Sequence, residues 1–227
     1  MSGLIMQLAQ AETIRGIDGP RLLEAIGMTV ALALAGAMLA VALALPIAAL
    51  AAKYGGRLVN AIESIGYLGH SLPGIVVGLS LVFFSLSVLP GLYQTAVMLV
   101  FAYAVLFMSK SIGSARSGLA AVPESLTDVA RTLGLSARAT WWRVTWRLAA
   151  PAIGVGALLV GIAIMKELPA TLLLRPTGIS TLAVELWNRT GVLEFGSAAP
   201  YAAALVLLAA VPAFFLSGVR GAQMEET

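Results

Sequence analysis

Four stretches of this sequence carry no formal charge over lengths that a water-soluble fold does not sustain. There are 28 such residues between Glu24 and Lys53, 46 between Glu63 and Lys110, 18 between Arg147 and Lys166, and 25 between Glu194 and Arg220. A helix needs about 20 apolar residues to cross a bilayer, so these stretches read as membrane spans. The 46-residue stretch is too long for one helix and suits two, divided at the Pro90-Gly91 turn signal. Span one follows Glu24, with Pro46 as an expected kink. Span two is expected at 60–88, span three at 92–115, span four before Lys166 and span five before Arg220. The fold class is therefore all-α, a polytopic membrane helical bundle of about five transmembrane helices. Helices satisfy every backbone polar group within one segment, which lipid cannot do for them.

Composition supports this reading and excludes others. Only 11 % of the 227 residues are charged, against about 25 % in an ordinary soluble domain. That is too little polar shell for a soluble enzyme and far too apolar for a disordered chain. There is no cysteine and one histidine, so disulfide, thiolate, iron–sulfur and His-built metal chemistry are not available. The net charge of +3 does not point to nucleic acid, because the basic residues punctuate apolar runs instead of covering a surface.

Those basic residues set an orientation. Lys53 and Arg57, then Arg116, Arg131, Arg138, Arg143 and Arg147, then Arg220, fall on one side of a five-span chain. On the other side Arg15, Arg21, Arg175 and Arg189 are balanced by Glu12, Asp18, Glu24, Glu185 and Glu194. The positive-inside rule places the Arg-rich loop and the C-terminus in the cytoplasm and the N-terminus outside. The expected organisation is an N-terminal periplasmic segment or elbow (1–24), a membrane domain (25–220) and a cytoplasmic tail (221–227). Residues 1–24 lack the basic, apolar and small-residue regions of a signal peptide. An N-out start without a signal suggests that span one inserts alone or that a preceding helix is missing from this chain. The Ala- and Gly-rich spans are suited to close helix approach in lipid.

The loop 119–150 carries the most specific signal. Pro123 and Glu124 suit a helix start. Leu126, Val129, Ala130 and Leu133 recur at helical spacing as an apolar stripe. Gly134 ends that helix, and Ser136 caps a second helix that carries Trp141, Trp142 and Trp146 among Arg138, Arg143 and Arg147. This second helix is expected to lie at the membrane interface. The element is either a plain connector or a docking surface, an apolar stripe beside the carboxylates Glu124 and Asp128, offered to a groove on a cytosolic partner.

The loop resembles the EAA loop of ABC importer permeases of the type I fold. That pattern is Glu-Ala-Ala, three residues and Gly; here Asp128-Val129-Ala130, Arg131-Thr132-Leu133 and Gly134 stand in those places, with Val144 and Pro151 at the expected distances. Asp128 replaces the first Glu, and Arg147 stands where a proline is common, which implies a less kinked exit. The resemblance covers roughly 25–220. It implies a permease core that transmits ATPase closure through Glu124, Leu126, Asp128, Val129, Ala130, Leu133 and Gly134. It also implies a cytosolic ABC ATPase dimer, a second permease half (identical or homologous), a periplasmic solute-binding protein, and a bacterial inner membrane location. No cofactor is expected on this chain, and ATP-Mg belongs to the ATPase; no Gly-x-x-x-x-Gly-Lys-Ser/Thr phosphate loop is present, so the chain is not expected to be an enzyme.

The run Met165-Lys166-Glu167-Leu168-Pro169-Ala170-Thr171, continued to Gly178, and the run Thr181 to Trp187 are similar to ferric-iron importer permeases. The chain resembles the second half of those two-half proteins, minus that half's first membrane helix. Permeases for thiamine, polyamines, sulfate or phosphonates share the fold and remain alternatives for the cargo. Candidates for the translocation path or its gate are His70, Pro73, Lys166, Glu167 and Pro169. Lys166 and Glu167 are expected near the outer face. They are either interfacial anchors, ion-paired with Arg175 or with each other, or gate groups, with Glu167 attracting Fe³⁺, a hard cation that prefers oxygen. The adjacent Lys166 argues against a tight metal site. His70 is either a packing histidine beside a proline kink or a path residue. Rival classes are an ion-coupled secondary transporter, which needs midplane carboxylates and discontinuous helices, and a membrane-embedded enzyme.

Overall fold

The computed structural model describes residues 18–54 and 56–224, with the side chains of residues 58, 68–71 and 215–224 outside that description. His70 and the segments 1–17 and 225–227 therefore lie outside the described residues.

Helix α1 spans Gly19–Lys53. Asp18 caps it by accepting the Arg21 N–H at 3.2 Å, and Pro20 sits in the first turn, where a missing N–H is harmless. Pro46 lies inside α1 without ending it. There follow α2 (Arg57–Ser71), α3 (Gly74–Val88), a 3₁₀ turn (Pro90–Leu92) and α4 (Ala96–Ala120). Then come α5 (Glu124–Thr132), α6 (Ala137–Met165), α7 (Pro169–Leu174), α8 (Leu182–Gly191) and α9 (Phe195–Met224).

The core is the packing of α1, α4 and α6. Gly36 of α1 lies between Tyr103 of α4 and Ile164 of α6, so close that a Cβ would stand 3.0 Å from the Tyr103 Cβ. A second layer joins Ala48, Ala115, Ala149 and Ile153. These pairings make α1 and α4 parallel and α6 antiparallel to both. Small residues let the backbones approach, and contact dispersion replaces the hydrophobic drive that lipid does not supply. One end of the bundle carries the 119–150 connection and is called the loop end; the other is the far end.

Helices α1, α4, α6 and residues Phe195–Phe214 of α9 are each long and apolar enough to cross a membrane. The expected single helix at 60–88 is instead two. Pro73 has no N–H to give and forces the preceding residue out of the helical region, and Leu72 is extended at φ −96°, ψ 132°. The 15-residue α2 and α3 together make the passage from the loop end to the far end. Large apolar side chains remain exposed, among them Phe83, Val206, Leu207 and Val211, as expected for a surface that meets lipid or another membrane chain.

A second expectation is also corrected. The Trp-rich segment after Ser136 is not a separate interfacial helix, since it runs through a π turn at Trp141–Thr145 directly into the long membrane helix. Pro151 lies within that helix without breaking it.

Candidate functional site

The loop end is built by local rules. Pro123, at φ −61° and ψ 132°, sets the start of α5 with Glu124 in its first turn. Gly134 has φ +86°, a backbone region that side chains rarely adopt. There its N–H donates to the Arg131 carbonyl (2.9 Å), and the Leu135 N–H donates to the Ala130 carbonyl (3.1 Å), closing the helix end in the usual left-handed way. Ser136 then caps α6, its Oγ accepting the Ala139 N–H at 3.3 Å.

The result is a knuckle with two faces. Ala130 is buried against the bundle, whereas Leu126, Val129 and Leu133 are exposed, Leu133 to 78 %. Glu124 and Asp128 are exposed beside them. Behind α5 a cavity of about 420 Å³ is lined by Lys53, Leu119, Asp128, Arg131, Thr140 and Trp141. Leu126, Val129 and Leu133 thus present an apolar face to solvent, while Glu124 and Asp128 line the cavity with Lys53 and Arg131. The structure thus brings together all seven residues expected of this loop.

The gate candidates lie elsewhere. Thr171 of α7 meets Tyr103 of α4, hydroxyl to hydroxyl, at 2.7 Å. Tyr103 is seven residues into α4 from Ala96, roughly 10 Å along the axis. Lys166 and Glu167 form a break between α6 and α7 below the far end of α4. Glu167 Oε1 accepts the Ala170 N–H at 3.2 Å and also lies against Gly74, the first residue of α3. The expected pairing of Glu167 with Arg175 is absent, since Arg175 Nη1 donates to the Ile179 carbonyl (2.9 Å). Among the described residues Lys166 makes no ion pair, and both it and Pro169 are exposed. Pro73, Lys166, Glu167 and Pro169 thus cluster around two neighbouring helix breaks.

Two buried carboxylates are structural anchors. Glu63 is buried and accepts from Arg116 Nη1 at 2.5 Å, so it faces the bundle. Glu185, 2 % exposed, takes Arg21 at 3.1 Å and Arg189 at 3.5 Å. Arg189 also donates to the Tyr201 hydroxyl (3.0 Å), and Thr29 Oγ1 accepts the Leu182 N–H (2.9 Å). These bonds fasten the first turns of α1 to α8 and α9. The i,i+4 spacing of Glu185 and Arg189 was the available signal.

Residues 44–222 match the family described as binding-protein-dependent transport system inner membrane component. The chain belongs to that family. A Fe(3+)-transport system permease protein of Haemophilus influenzae, FbpB 2, is 35 % identical over 181 residues, 80 % of this chain and 36 % of the relative. The chain thus spans about a third of that protein's length. A molybdate/tungstate transport system permease protein, WtpB, of Pyrococcus abyssi is 30 % identical over 184 residues, 79 % of this chain and 72 % of the relative. The fold matches a chain of the MetNI methionine ABC transporter in an inward-facing crystal form, with TM-score 0.69 and 16 % identity, covering 91 % of this chain and 99 % of that one. The type I ABC importer permease fold expected from the EAA-like loop is therefore the fold of this family member, which is a membrane transport component and not an enzyme.

Proposed function

We propose that the chain is the membrane permease subunit of an ATP-driven, binding-protein-dependent importer, and that its cargo is ferric iron. The carrying observation is the knuckle at Gly134, where an apolar surface stands out from the loop end beside Glu124 and Asp128. A cytosolic ATPase dimer docks there, and its closure tilts α5 and, through the unbroken α6, the helix break at Lys166–Leu168. The cargo passes between this chain and a second permease half, identical or homologous, after delivery by a periplasmic binding protein. The N-terminus is periplasmic and the C-terminus cytoplasmic in the inner membrane. Glu124, Leu126, Asp128, Val129, Ala130, Leu133 and Gly134 form the coupling surface. Pro73, Lys166, Glu167 and Pro169 border the path, and His70 is a further candidate for it. No metal is held tightly on the way, because cargo that must leave is served by weak sites. ATP and Mg stay on the ATPase.

Iron is favoured by the ferric relative and by the similarity of the Met165–Gly178 run. An oxyanion such as molybdate is the second reading, and one observation favours it: the exposed, unpaired Lys166 at the helix break. A secondary transporter would also use broken helices, but family membership argues for an ATPase-driven system. Reconstitution with the ATPase, the partner half and the binding protein tests this. ATP-dependent uptake of radiolabelled ferric ion but not molybdate is expected. Molybdate uptake alone would replace the cargo, and uptake independent of ATP would overturn the reading.

A further inference from the structure

The 15-residue α3 and the six-residue α7 begin at breaks that touch. Glu167 Oε1 accepts the Ala170 N–H at 3.2 Å, and the Glu167 carbonyl accepts the Thr171 hydroxyl at 2.7 Å. Thr171 in turn meets Tyr103, so α7 is held to α4 through buried hydroxyls. On its other side the Glu167 carboxylate lies across Gly74. A Cβ on Gly74 would stand 2.7 Å from Oε1, nearer than atoms pack. One turn further along, Gly78 lies on Ala170, where a Cβ would be 3.1 Å from the Ala170 Cα. Helices α3 and α7 therefore run side by side in parallel, each preceded by non-helical backbone. For α3 that is Leu72-Pro73, and for α7 it is the Lys166–Leu168 step.

A carboxylate in this setting has two possible uses. As a cargo attractor its charge would matter and its shape would not. As a latch, its oxygen must accept the Ala170 N–H and fill the space over Gly74, and its charge would not matter. The geometry points to the second. Resting on the importer reading above, we propose that Glu167 is a positioning residue. It pins the α6–α7 break to the α2–α3 break, so that α3 and α7 move as one body when α6 is driven from the loop end.

Three variants separate the possibilities in the full reconstituted complex, with cargo moved per ATP hydrolysed as the readout. The probe is radiolabelled ferric ion or molybdate, whichever the wild type takes up. Glu167→Gln keeps an acceptor oxygen of the same reach, so it should recover most of the cargo moved per ATP that Glu167→Ala loses, while any role of the charge at the path is read separately in the uptake rate. Glu167→Ala removes the latch and should hydrolyse ATP while moving at least five-fold less cargo per ATP. Gly74→Ala puts a Cβ 2.7 Å from Oε1; the flexible end of Glu167 yields by swinging aside, so the variant should lose coupling in the same direction as Glu167→Ala but by less. If Glu167→Ala does not assemble, the other two variants still decide. A five-fold loss in Glu167→Gln, or wild-type coupling in Gly74→Ala, overturns the latch. Absence of ATP-driven transport in the wild type itself would count against the importer reading instead.

Discussion

Replacing Gly134 with valine probes the coupling surface at its most constrained point. The residue sits at φ +86°, and a Cβ built there meets nothing within 4 Å. The substitution therefore costs backbone conformation and not packing. Holding a side-chain-bearing residue in the left-handed region costs roughly 1–2 kcal/mol, with the β-branch of valine at the upper end. Relaxing to negative φ would instead sacrifice the Gly134–Arg131 and Leu135–Ala130 hydrogen bonds, about 1 kcal/mol each, and would swing Leu133 out of line. By either route the docking-competent shape is depopulated by a factor of about 5–30, at 1.4 kcal/mol per tenfold. Membrane insertion and the α1–α4–α6 core should be untouched, because the strain is confined to an exposed turn. Gly134→Ala should show the same defect at smaller size. The assay is retention of the ATPase during affinity purification of the permease, followed by ATP-dependent uptake in proteoliposomes. Gly134→Val should assemble in the membrane, lose most of its ATPase and fail to transport. Full transport with normal ATPase retention would mean that the turn is only a connector.

Charge reversal at the exposed Asp128, Asp128→Lys, should weaken ATPase retention, with the defect shrinking at high salt as screening predicts, while Asp128→Glu should be nearly silent. Glu185→Ala removes the carboxylate partner of the part-buried Arg189, while Arg21, 57 % exposed, stays solvated; it should destabilise the purified protein by roughly 1–2 kcal/mol, read as a lower unfolding temperature in detergent. The chain has no cysteine, so single cysteines at the exposed Ala137 and Thr177 report topology directly. Labelling of Ala137→Cys only from the cytoplasm and of Thr177→Cys only from outside is expected, and the reverse would overturn the orientation.

The sequence-based reading succeeded where one residue type dictates the outcome. Charge-free runs located the membrane passages, because a charge in lipid is costly whatever the neighbours. Gly134 and Ser136 marked the knuckle, because φ > 0 and an N-cap each have strong residue preferences. It failed where the outcome depends on packing between distant segments. Pro73 was noticed, yet whether a proline kinks or severs a membrane helix depends on what re-satisfies the freed backbone. Pro46 and Pro151 stay inside helices, whereas Pro73 starts one. A charged pair at the end of an apolar run looks like a membrane boundary, and nothing local in the sequence says that the next short helix packs into the bundle at Thr171. Arg21 and Glu185 are 164 residues apart, a separation no local pattern encodes.

The central claim is that an external ATPase drives this permease through the surface of α5. A single cysteine at Leu133, 78 % exposed, tests it most directly when cross-linked in the assembled, transport-active complex. The account predicts a permease–ATPase adduct that forms in high yield, blocks ATP-dependent uptake when locked, and releases that block on reduction. An adduct confined to lipid or to the second permease half, with uptake unaffected, would contradict it.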